Sequence, residues 1–72
     1  MDDNLFESNI ANLKNGGHMA KLSIFKLVAS YKNGELTKEQ VNRVVSATQV
    51  GLKNTDDGIL SGMIKSKLEE MI

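Results

Sequence analysis

Seventy-two residues with nine basic and nine acidic side chains, one histidine, and neither cysteine nor proline set narrow limits on what this chain can be. A chain this short holds one small domain and buries only about 60% of its unfolded surface, so a core built unaided is marginal. Disulfides and thiolate metal sites are excluded, one imidazole cannot assemble a nitrogen-ligand site, and the balanced charge lacks the excess of a nonspecific polyanion binder; what remains to reinforce the fold is self-association or a protein partner.

With no proline to break a helix, glycine supplies the punctuation. Asn15-Gly16-Gly17 and Asn33-Gly34 are turn sequences that follow apolar stretches at the spacing of helix C-termini, and they divide the chain into three parts. The first part predicts a helix over about 3–14, with Leu5, Phe6, Ile10 and Leu13 near one face and Asp2, Asp3 and Glu7 near its positive end. At this length it forms only when docked, since isolated helices below about 12 to 15 residues are marginal in water. Gly17-His18-Met19 also has the make-up of a junction left by protease cleavage, in which case the native chain would begin at Met19; no familiar tag precedes it.

The second helix is predicted over about 19–32. Ala20, Leu22, Ile24, Phe25, Leu27, Val28, Ala29 and Tyr31 occupy well over half its circumference, with Ser23, Lys26 and Ser30 as the polar stripe. One neighbour cannot cover so wide an arc, so this helix is expected between two others, or between its own fold and a partner. Four lysines and no acid lie between Glu7 and Glu35, a pattern that suits either an anionic surface or lysines snorkelling at the rim of a buried helix.

Leu36-Thr37-Lys38-Glu39-Gln40 opens the third part with a capping box, Thr37 as the cap and Gln40 three residues on. Val41, Val44, Val45, Thr48, Leu52, Thr55, Ile59 and Met63 then recur at steps of three and four, which suits one long helix. Thr55-Asp56-Asp57 argues instead for a separate helix, with Thr55 as N-cap and two acids in the first turn. The expected helices are therefore about 38–53 and 56–71, either separate or fused. If they are fused, Ala47, Gly51, Gly58 and Gly62 form a ridge of small residues open to close approach by another helix.

No residue pattern supports catalysis, so no catalytic, metal or cofactor residues are assigned and no small-molecule substrate is expected. A nucleophile needs a base within hydrogen-bond reach, and the lone His18 adjoins a diglycine. Adjacent Asp56-Asp57 and Glu69-Glu70 point about 100° apart on a helix and cannot share a proton or a metal. Asp56-Asp57-Gly58 runs into Ile59 and Leu60 where a calcium loop needs further oxygen ligands, and Gly16-Gly17 lacks the strand and the lysine–hydroxyl pair of a phosphate loop. No apolar run approaches the roughly 18 residues that span a bilayer, and Met1 is followed by acids, so a soluble cytoplasmic chain is expected. Eight lysines against one arginine suggest the AT-rich coding of bacteria or phages.

Leu36-Thr37-Lys38-Glu39-Gln40-Val41 through Gly51-Leu52-Lys53-Asn54 resembles the start of LuxR-type helix-turn-helix domains, which implies a DNA-binding regulator; the following Ile59 to Ile64 is apolar where a recognition helix carries basic and polar residues. The layout, with Asn33-Gly34 through Gln40, is similar to the helical-hairpin co-chaperones of type III secretion needle subunits, which implies a chaperone-like role. The sequence as a whole predicts an all-α helical hairpin or three- to four-helix mini-bundle, probing a partner or a second copy in a homodimer through Leu22, Phe25 and Ala29 of the second helix and Ile64, Leu68 and Met71 near the C-terminus. Its expected role is a non-enzymatic adaptor, inhibitor or co-chaperone, with a helix-turn-helix-like DNA-binding regulator as the alternative.

Overall fold

The computed structural model describes all of residues 1–72 as four helices: α1 (Asp3–Asn15), α2 (Gly17–Lys32), α3 (Lys38–Lys53) and α4 (Gly58–Leu68). There are no strands. α2 is the central element and touches α1, α3 and α4; α1 also packs on α3, α3 meets α4, and α1 and α4 do not meet. The sandwiching expected of α2 is thus supplied by its own chain. The core takes Phe6, Ile10 and Leu13 from α1, Ala20, Ile24, Leu27 and Val28 from α2, Val44 and Ala47 from α3, and Leu60, Ile64, Leu68 and Met71 from the C-terminal part. Because α1 contributes Phe6, Ile10 and Leu13 to that core, the segment before Met19 is an integral part of the fold.

The starts of α1 and α3 have a local cause. Asp2 accepts the Leu5 amide at 2.8 Å, and Thr37 and Gln40 form the reciprocal capping box, with the Gln40 amide 3.1 Å from the Thr37 hydroxyl and the Thr37 amide 2.8 Å from Gln40 Oε1. At the end of α2, the Glu35 amide donates to the Ser30 carbonyl and the Gly34 amide to that of Tyr31, the paired bonds of a Schellman closure.

α3 and α4 are separate helices, divided at Asn54–Asp57. The cap of α4 is Asp57, which accepts the amides of Ile59 at 2.9 Å and Leu60 at 3.1 Å, and not Thr55 as its sequence position suggests. Thr55 is occupied elsewhere: its hydroxyl donates to the Gly51 carbonyl at 2.7 Å and accepts the Gly17 amide at 3.0 Å, supplying the cap that α2 lacks among its own residues. Beside it, Asn54 Nδ2 donates to the Lys14 carbonyl at 2.8 Å, so one short link serves the end of α1 and the start of α2.

The same junction explains two glycines. A Cβ on Gly51 would lie 2.0 Å from the Leu13 carbonyl oxygen, and Gly16, at φ +76°, turns with Asn54 and Gly51 carbonyls against it. The small-residue ridge is therefore split: Ala47 and Gly51 face the rest of the fold, while Gly58 and Gly62 have open space beside them.

On α2 the expected polar stripe is corrected. Ser23 and Ser30 are buried and only Lys26 is exposed, whereas Leu22, Phe25, Ala29 and Tyr31 reach the surface. Crowded helix contacts select for small volume, and a serine satisfies that as alanine does. Leu5 is likewise exposed beside buried Phe6. Arg43 ties α3 to α1, forking onto the Glu7 carboxylate at 2.5 and 2.7 Å with its guanidinium 5.3 Å from the centre of the Phe6 ring.

Gly51→Ala is expected to lose about 2 kcal/mol or more, because forcing a methyl into a backbone contact outweighs the gain of roughly 1 kcal/mol that alanine brings to a helix interior. Gly62→Ala, with nothing beside it, is expected to gain about that 1 kcal/mol; urea unfolding of both variants measures the contrast. Thr55→Val removes both hydrogen bonds of the Thr55 hydroxyl and is expected to cost about 1 to 3 kcal/mol, with hydrogen exchange accelerated first at the Gly17 amide.

Candidate interaction surface

α2 and α4 both start at the Thr55 junction and run side by side in the same direction, since Phe25 meets Lys67 and, further along, Lys32 meets Glu70. Their inner faces form the core; their outer faces carry apolar side chains left in the open. On α2 these are Leu22, half exposed, Phe25 at 41% and Ala29, spaced at three and four along one face. On α4 they are Met63 and Ile59, the latter 81% exposed and the most prominent apolar side chain within any helix. A groove of about 490 Å³ runs between the helices, lined by Phe25, Ile59, Gly62, Met63, Ser66, Lys67 and Glu70.

One end of that groove is closed by charges that satisfy each other. Lys67 Nζ lies 4.8 Å from the centre of the Phe25 ring and 3.2 Å from the Glu70 carboxylate, which also accepts Lys32. Hydrogen bonds from Lys32 and then Lys67 hold the Glu70 carboxyl below its ordinary value near 4.5, and the Arg43 hydrogen bonds do the same for Glu7 while raising Arg43 itself. A second groove of about 400 Å³ between α1 and α3 is bordered by Lys14, Glu39, Asn42, Arg43 and Ser46, and offers only Ile10, Ala47 and Val50 as apolar surface. The α2/α4 face is the more apolar of the two in side chains that protrude. No group of three or more histidine, aspartate or glutamate side chains comes together in a way that could hold a metal ion.

The six residues chosen from sequence for partner contact fall into two sets. Leu22, Phe25 and Ala29 lie together on the outer face of α2. Ile64, Leu68 and Met71 are in the chain's own core, so in this fold they have almost no area to offer a partner. In their place the outer side of α4 presents Ile59 and Met63, which the sequence pattern set on the apolar periodicity running on from Val41. Leu60, Ile64 and Leu68 recur every four residues, and Ile59 and Met63 each precede one of them, about 100° away. That offset is a signal available in the sequence, masked because all five side chains are apolar. Compared with known proteins, the chain matches no family model, no curated protein and no solved structure.

The depressed carboxyls give a pH dependence with a definite sign. A carboxyl whose folded value lies below its unfolded value adds stability above the unfolded value, and that stability is lost as pH falls through the folded one. Glu7→Gln with Glu70→Gln is therefore expected to lower Tm at pH 7 and to converge on the parent chain at pH 2, a comparison that thermal melts by circular dichroism make directly.

Proposed function

We propose that this chain is a non-enzymatic helical interaction module, of the adaptor, inhibitor or co-chaperone kind, that works by burying the outer face of α2 and α4 against another polypeptide. The observation that carries this is the exposure of Leu22 and Phe25 on α2 and of Ile59 and Met63 on the adjacent α4, with Phe25, Ile59 and Met63 lining one groove between the two helices. Together they amount to on the order of 400 Å² of apolar surface, within the size class of the largest patch on a typical monomer, which is often functional. Burial at about 25 cal/mol per Å² makes such a patch worth roughly 10 kcal/mol before the cost of association, an amount that supports a modest affinity and not an obligate complex.

The aromatic and methionine side chains suit this role. Phe25 carries much area at low entropy cost, and Met63 adapts its shape to whatever covers it. The Lys32–Glu70–Lys67 cluster supplies the polar rim expected around an apolar centre.

A photo-crosslinking amino acid placed at Leu22 and, separately, at the exposed Ala11 of α1 tests the proposal in the cells that make the protein. Discrete adducts from position 22 and none from position 11 are expected; equal, diffuse labelling at both would remove the α2/α4 face from consideration.

A further inference from the structure

We infer that the occupant of the α2/α4 face is a second copy of this chain, seated about a two-fold axis near Gly62 with Ile59 of each copy in the groove of the other. This rests on the interaction-module reading and names its partner. Knob and hole belong to the same face: Ile59 stands out from α4, and the groove between Phe25, Met63 and Ser66 opens beside it over a floor at Gly62, where a Cβ would meet no atom within 4 Å. A two-fold contact requires a surface that complements itself, residue i meeting j and j meeting i. Antiparallel α4 helices crossing at Gly62 satisfy it, because Ile59, three residues before the axis, then falls level with the partner's Lys65 and next to the partner's Ser66 on the groove side.

Charge agrees with this occupant. The chain has no formal net charge, so two copies approach without mutual repulsion. Within the face, the charges are gathered at one end, where Lys32 and Lys67 share Glu70. Antiparallel crossing sets the two clusters roughly 15 Å apart at 1.5 Å of rise per residue, beyond the Debye length of about 8 Å in physiological salt. Each Lys67 instead comes opposite the start of the partner's α4, where the partner's Asp57 is the cap and the partner's Asp56 precedes it.

Area sets the strength. If about 400 Å² of apolar surface makes up some 65% of the contact, each copy buries roughly 600 Å², and the pair together about 1,200 Å², the lower edge of stable interfaces. The pair is thus a reversible dimer.

Sedimentation velocity on the full chain from about 5 to 500 µM tests this, a range that brackets the weak association expected of so small an interface. The expected result is a weight-average mass that rises with concentration from 7.9 kDa towards twice that value. Ile59→Asp is expected to weaken the dimer at least tenfold with the thermal melt at low concentration unchanged, since position 59 is exposed and an acid suits the first turn of a helix. Leu5→Asp, on an exposed site of α1, is the control and should leave association as it was. A chain that stays monomeric to 500 µM, or an Ile59→Asp dimer as tight as the parent, overturns the proposal. The adducts from position 22 separate the two levels: adducts of twice the chain mass support the dimer, adducts only of other masses overturn it and leave the module reading standing, and no adducts at all bring down both.

Discussion

Asn54 and Thr55 hold together three helix ends through their side chains. The Asn54 amide closes the Lys14 carbonyl at the end of α1, and the Thr55 hydroxyl bridges the Gly17 amide at the start of α2 to the Gly51 carbonyl at the end of α3. The two Thr55 bonds are partly shielded from water, so loss of the hydroxyl would leave the Gly17 amide without its partner, at a cost of about 1 kcal/mol or more. The bridge is short enough that it works only if α1 and α3 nearly touch, and they do so because Gly51 has no side chain to hold the Leu13 carbonyl away. From this point α2 and α4 leave together, and their parallel course forms one side of the core and the groove lined by Phe25, Ile59 and Met63.

Much of the fold was legible in the sequence for reasons that can be stated residue by residue. The Thr37–Gln40 capping box, the Asn33-Gly34 stop and the Asn54–Asp57 break each have local chemistry that acts without help from tertiary structure. The crowding of apolar residues on α2 likewise announced a helix with neighbours on more than one side. What local chemistry could not reveal was competition for Thr55: as a cap it suits α4 in isolation, yet the Gly17 amide, 38 positions earlier, claims it. Asp57, two residues on, then takes the cap that Thr55 left.

The surface was harder to read because hydrophobicity alone does not say which way an apolar side chain turns. α2 has so many apolar positions that burying one arc strands another, and the arc was decided by size: Ser23 and Ser30 fit the close contacts, and Leu22 and Phe25 were left outside. On α4 the inward series Leu60, Ile64 and Leu68 is joined by Met71 beyond the helix, which completes the core and excludes Ile59 and Met63 from it. The half of the sequence-chosen site on α2 is outward, and the half near the C-terminus is inward, for that reason. Thirteen buried apolar residues are a small core for 72 residues, and each exposed apolar side chain is area the fold could not enclose.

The four-residue link between α3 and α4 also decides whether the protein closes on itself. Its polar residues interrupt an apolar periodicity that otherwise runs on from Val41 to Met63. Were the link to straighten into helix, α3 and α4 would become one rod, Leu60 and Ile64 would be carried out of reach of α2 in the same molecule, and their sockets would be filled by the rod of a neighbouring chain, as in domain-swapped proteins. By fixing the bend, Asn54 and Thr55 keep Leu60 and Ile64 within reach of α2 of their own molecule.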